Sequence, residues 1–311
     1  MKDPQQDHDS PWKEALENRF PEFLALLFPV IHAEVDWSRG MEFLDKELQQ
    51  VVQDAELGRR HADKLVKVWA RDGGEAWLLI HVEVQGEAER AFAERMYVYH
   101  YRLFDRYQVD VVSLGVLADT TEAFRPKTFH WGRWGCELMF RFPTAKLLDW
   151  QARWAELEAS DNPFALVVMA QLQAKAGVDA EERKAAKFRL VRLMYDRGYC
   201  RADILELFRI IDWMIRLPDA LEREFLAAVY EIEEAKKMPY VTSAERFAIE
   251  KGKLEGKLEG EVAVLLRQIG RKYGPEALAA CRERVAQADA ETLLEWAERV
   301  LTAETIDEVF H

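Results

Sequence analysis

Cysteine is scarce in this chain. Its three copies, Cys136, Cys200 and Cys281, are scattered and show no CxxC or Cys/His spacing. That excludes a disulfide framework and a zinc site of the usual spacing, and reduced, mostly buried thiols are expected. Long apolar runs are also missing. The longest early stretch, Phe20–Ile31, is broken by Pro21, Glu22 and Pro29; a membrane span needs roughly 20 apolar residues. Lys2 is followed by Asp3, Asp7 and Asp9 with no apolar segment behind them, so no signal peptide is expected. These absences predict a soluble, cytoplasmic protein with no membrane partner. Positive charge is short as well. Lysine and arginine number 43 against 56 aspartates and glutamates, a net charge of −13, and the first 145 residues hold 18 basic and 25 acidic side chains. A uniformly basic nucleic-acid binder is therefore excluded. Any DNA contact must come from local patches, aided by a divalent cation that screens carboxylates. No Walker loop, Rossmann fingerprint, HExxH or serine elbow is present.

What is present suits a globular protein. The 311 residues are 49% hydrophobic, enough for one α/β core with helical additions. Residues 11–31 carry Trp12, Leu16, Phe20, Phe23 and Leu27 at three- and four-residue spacing, a helical opening. Residues 32–62 are mixed and charged, without a clear period. Then Lys64–Ala70 and Trp77–Val84 turn β-branched and aromatic, separated by Arg71-Asp72-Gly73-Gly74-Glu75, a hairpin signal. Residues 88–107 are helical in period, Val109–Leu117 suits a central buried strand, and Cys136–Phe142 alternates as another strand. From about Ala145 the pattern is helical, over 145–158, 162–176, 180–197, 201–216 and 218–235. Gly252, Gly256 and Gly260 then line one helical stripe, a candidate self-association face or a solvated linker helix. Residues 262–311 form a compact helical unit.

One constellation carries chemistry. Along the second hairpin strand, positions 77, 79, 81, 83 and 85 share a face, so Glu83 and Gln85 stand side by side there. A three-residue loop, Asp72-Gly73-Gly74, pairs Arg71 with Glu75 and brings Asp63 opposite Glu83 on that face. Two carboxylates beside an amide form a hard-oxygen site suited to Mg²⁺, which polarises phosphate and activates water. The plain alternative is a polar strand end with hydrogen-bonded carboxylates.

A helix, an Asp opening a strand, and a hairpin to a strand ending Glu-x-Gln resemble the PD-(D/E)XK nuclease core. The wider chain resembles the recombination-promoting nuclease and transposase-like family. The stretches that carry this are Asp9–Lys13 (DSPWK), Arg60–Val68 (RHADKLVKV), Val82–Gln85 (VEVQ) and Glu94–Tyr99 (ERMYVY). The tail, with Arg271–Gly274 (RKYG), Leu293–Ala297 (LLEWA) and Val309-Phe310, resembles a small helical domain attached to such proteins. The resemblance implies a bacterial DNA endonuclease that uses Mg²⁺ or Mn²⁺ and is linked to recombination or mobile elements. Its fold would be α/β, a restriction-endonuclease-like mixed β-sheet core flanked by helices, followed by a largely α-helical C-terminal half. The implied divisions are a core over 1–145, a helical extension over 146–240, a glycine-striped linker over 241–261 and a helical domain over 262–311. It carries catalytic roles onto Asp63, Glu83 and Gln85, metal ligation onto Asp63, Glu83 and Asp9, and DNA contacts onto Arg60, Arg95 and Tyr99. Asp9 is equally suited to capping a helix ahead of Pro11, and Arg95 and Tyr99 to a surface pair on an amphipathic helix. Gln85 stands where most such nucleases have lysine; Lys64 and Lys67 are the nearest replacements, with Lys64 facing away from Asp63. A catalytically silent interaction protein, assembling through its C-terminal helical region as a homo-oligomer, is the other class the chain suits.

Overall fold

The structure, a computed structural model, describes residues 11–54, 62–83, 89–241, 262, 265–286, 288, 290–303 and 305–310. It divides into two compact units, Met1–Met238 and Pro239–His311. No helix among the described residues is long and apolar enough to cross a membrane.

The first unit is mixed α/β. The helical opening is three short helices, α1 (Pro11–Asn18), α2 (Phe20–Leu27) and α3 (Pro29–Glu34). Pro21 and Pro29 sit in the first turns of α2 and α3, where proline's missing N–H costs nothing, so they start new helices. The charged stretch that follows contains strand β1 (Glu42–Phe43) and helix α4 (Asp45–Asp54). Strands β2 (Ala62–Trp69) and β3 (Glu75–Glu83) form the expected hairpin, and helix α5 (Glu89–Tyr107) crosses over to β4 (Asp110–Leu117). Strands β5 (Thr128–Arg133) and β6 (Cys136–Arg141) make a separate two-stranded hairpin before the short β7 (Thr144–Lys146). The main sheet is mixed, in the order β1-β2-β3-β4-β7, antiparallel from β1 to β3 and parallel from β3 to β7.

Both faces of this sheet are buried. Leu65, Trp77 and Leu79 pack with Leu44 just ahead of α4, Leu48 of α4, and Tyr99 and Leu103 of α5 on one face. Val66, Leu78 and Ile80 are equally buried on the other. Each such side chain contributes about 1.5–3 kcal/mol. Burial on both faces explains why β3 reads as a nearly continuous apolar run.

Five helices follow: α6 (Trp154–Ala159), α7 (Phe164–Ala174), α8 (Ala180–Asp196), α9 (Arg201–Met214) and α10 (Asp219–Lys236). They belong to the same unit as the sheet because they clasp the opening helices. Trp12 Nε1 donates to Gln171 Oε1 at 3.0 Å, Asn162 Nδ2 to the Glu22 carbonyl at 2.8 Å, and Arg19 Nε to Glu206 Oε1 at 2.8 Å, with Asp203 also on Arg19. Arg19 is held in its charged form against the cost of its burial by these two carboxylates. Inside the bundle, the fully buried Lys187 Nζ meets Asp212 Oδ1 at 2.6 Å and Glu222 Oε1 at 2.9 Å.

The second unit packs a helical stretch over 265–273 with α11 (Pro275–Ala286), α12 (Ala290–Thr302) and α13 (Ile306–Val309). Its core joins Leu265, Ile269, Val285, Leu293, Trp296 and Phe310. Lys272 Nζ donates to the Val300 carbonyl at 2.8 Å, and Tyr273 Oη to that of Ala303 at 2.7 Å. The glycine stripe at 252, 256 and 260 lies outside the described residues. The thiols depart from expectation: Cys281 is buried, but Cys136 and Cys200 are exposed.

Candidate functional site

The β2–β3 turn decides what stands opposite what. Gly73 N donates to the Ala70 carbonyl at 2.9 Å, and Ala70 N to the Gly74 carbonyl at 2.8 Å, leaving Arg71-Asp72-Gly73 as the loop. Gly73 takes the left-handed position with φ 92, while the Asp72 carboxylate accepts from Gly74 N at 2.9 Å. The loop is three residues long, as expected, but begins one residue earlier than Asp72-Gly73-Gly74. This corrects the register by two. Asp63 pairs with His81, and Trp69, not Arg71, pairs with Glu75. A shift of two preserves the face. Leu65 and Leu79 lie on the α5 side, and backbone alternation assigns positions 63, 81 and 83 to that same side. Asp63 and Glu83 are therefore diagonal neighbours, about 7–8 Å apart at the backbone, rather than directly opposed.

They stand at the edge of the sheet where the parallel strands end. Two lateral rows cross this edge: Asp63, His81, Gly115 and Thr144, then Glu83, Leu117 and Lys146. Gly115 lies close beneath α5. A Cβ there would meet the Thr144 methyl at 2.9 Å and the Phe92 ring at 3.2 Å, so only glycine lets helix and strand approach this closely.

Helix α5 covers this face. Arg95 and Tyr99 are buried, at 8% and 2% relative exposure, so they do not form a surface pair. Tyr99 packs in the cluster with Leu65 and Leu79, and the Arg95 guanidinium lies 5.7 Å from the Phe92 ring centre. Next to Tyr99 in sequence, His100 Nδ1 lies 3.2 Å from Ser113 Oγ on β4, and burial pushes its pKa below the ordinary value.

The sequence did not single out Lys146 and Asp119. Lys146 Nζ meets Asp119 Oδ2 at 2.7 Å and the Thr121 carbonyl at 2.9 Å, with both charged side chains almost wholly buried. The available signal was Asp119 itself, a carboxylate two residues beyond an apolar strand. Of the replacement lysines, Lys64 is buried on the opposite face from Asp63, as expected, with Asp45 Oδ2 at 2.9 Å and Glu17 also on its ammonium. Lys67 shares the parity of Asp63 but pairs with Glu75 near the turn, Nζ–Oε2 3.2 Å.

Asp9, Arg60 and Gln85 lie outside the described residues. Among the described residues, no group of three or more His, Cys, Asp or Glu side chains is placed to hold a metal ion. Comparison with protein-family models, with curated proteins and with solved structures gave no match.

Proposed function

We propose that this chain is a Mg²⁺- or Mn²⁺-dependent DNA endonuclease with a restriction-endonuclease-like core, acting in the cytoplasm in recombination or on mobile elements. One observation carries it: the strand register keeps Asp63 and Glu83 on one face, at the end of the parallel strands, as diagonal neighbours. Diagonal carboxylates on adjacent strands fit a hard divalent cation, which takes only one or two protein carboxylates and keeps its waters. When bound, such an ion lowers the pKa of a water and stabilises a leaving phosphodiester oxygen. Asp63 and Glu83 would hold it, with Asp9 as a further ligand. Gln85 would orient the attacking water through its amide, an acceptor and donor without charge. Arg60, Arg95 and Tyr99 would serve DNA binding, Arg95 and Tyr99 from beneath the surface by positioning α5.

Plasmid nicking tests this. With Mg²⁺ or Mn²⁺ the wild type is expected to relax supercoiled DNA, and Asp63→Ala and Glu83→Ala to fall to background. Nicking that survives Glu83→Ala rejects the site.

A second reading is favoured by the charge accounting. Gln85 replaces the expected lysine, and Lys64 and Lys67 are both occupied by carboxylates. A silent interaction protein, assembling through its C-terminal helices, needs no such charge. It predicts no metal binding by calorimetry, and an oligomer that dissociates when the chain is ended at Pro239.

A further inference from the structure

The β5–β6 hairpin carries large apolar side chains in solvent. Trp131, Trp134 and Met139 are 57%, 90% and 67% exposed. Its two-residue turn is Trp134-Gly135, with φ 54 and 83. A turn with both residues left-handed favours Asn-Gly or Gly-Gly, and a bulky side chain there is strained. Strain of this kind collects at functional sites. The Arg133 guanidinium lies 4.1 Å from the Trp134 ring centre, so cation and ring present one flat surface.

The surroundings extend this surface. Tyr97 stacks on Phe129 at 5.2 Å and on Tyr101 at 5.6 Å, and Tyr101 and Phe104 are 43% and 51% exposed along α5. The hairpin is also locally basic in an acidic chain. Between Pro126 and Phe142 stand Lys127, Arg133 and Arg141 against Glu137 alone. All three cations are exposed and make no ion pair among the described residues. Both ends of the hairpin return to the sheet edge that carries Glu83: β4 precedes it, and beyond it Gly115 N donates to the Pro143 carbonyl at 3.0 Å.

We propose that this hairpin is a base-stacking element that grips unpaired bases of DNA, Trp134 and Trp131 stacking on the bases while Lys127 and Arg133, which share the face of Trp131, hold the phosphates. Stacked rings beside unpaired cations are what a single strand requires. Membrane-surface elements also join rings with cations, and the vesicle competitor below separates that occupant from DNA. The proposal rests on DNA being the substrate class proposed above, and makes that substrate one with a single-stranded portion.

The test is anisotropy of a labelled single-stranded oligonucleotide, with its duplex and anionic phosphatidylserine vesicles as competitors. EDTA is present throughout, so binding is read without cleavage. The wild type is expected to bind the single strand more tightly than the duplex. Trp134→Ala should weaken this by about tenfold or more. Trp134→Asn should weaken it equally while raising thermal stability, because asparagine accepts the left-handed turn; a merely structural tryptophan would not give that pairing. Unchanged affinity in both variants, no wild-type binding, duplex binding as tight as the single strand, or displacement by vesicles would each overturn the proposal. Nuclease failure is read separately: binding lost in Trp134→Ala but no nicking by the wild type keeps the hairpin and rejects the endonuclease. Nicking that needs Glu83, with binding indifferent to Trp134, does the reverse.

Discussion

The chain contains two antiparallel hairpins built on opposite terms. In β2–β3 the turn chemistry is relaxed: Gly73 takes the left-handed position and Asp72 ties the loop to Gly74. Its strands are buried on both faces, and its polar residues stand at the far end from the turn. In β5–β6 one face rests on α5 through Phe129 and Phe140, but a tryptophan occupies the strained turn, and Trp131, on the same face nearer that turn, meets solvent. The first hairpin is a buried frame with Asp63 and Glu83 at its open end. The second tolerates strain at its closed end, where contact with a partner would repay it.

Core truncation gives the largest expected difference between them. Leu79→Ala, at a fully buried position of β3, should cost about 2–5 kcal/mol in denaturant unfolding. Trp131→Ala, more than half exposed on β5, should change stability by only about 0.5 kcal/mol. Equal losses would abolish the distinction. The turns come next. Gly73→Ala should cost about 1–2 kcal/mol, because alanine resists a positive φ. The gain expected for Trp134→Asn has the opposite sign, and a loss there would show the tryptophan to be structural.

The smallest effect lies at the junction. His100 contacts Ser113 on β4, and its ring lies 4.6 Å from Phe140 on β6. Burial holds its pKa below the ordinary 6.5, so the unfolded chain takes up this proton first. Stability should be intact above about pH 6.5 and decline as the pH falls through that value toward the lowered one in the fold. His100→Gln should flatten this slope in melts run across the range. An unchanged slope would assign the acid sensitivity to other groups.

Much of the frame was legible because its signals are local. The RDGGE turn and the β-rich runs on each side predicted β2–β3, and hydrophobic period predicted α5 and the helices from α7 to α10. The loop boundary was less legible, since Gly73 and Gly74 can both adopt positive φ and only the Asp72 hydrogen bond to Gly74 selects between them. The sharing of a face by positions 63 and 83 survived because parity depends on an odd loop, not on its first residue. Strand β5 was missed because Trp-Gly is a poor turn signal and TFHWGR mixes rings with charge. Helix α4 was missed because DKELQQVVQD places few apolar residues in a polar run. Arg95 and Tyr99 suggested surface chemistry by spacing, but only the packing of α5 on the sheet reveals their burial.

The clasp between the opening and closing helices of the first unit has a consequence for synthesis. Arg19 finds its partner Glu206 only 187 residues later. At roughly 5–20 residues per second, about 10–40 s separate the two on the ribosome. For most of that interval Trp12 and Phe23 lack the α7 residues that cover them, Phe164 and Gln171, while the sheet strands are already available to pair. Until then the nascent chain carries an uncovered aromatic segment of the kind that aggregates in partly folded chains; α7 covers its rings and α9 closes the clasp on Arg19.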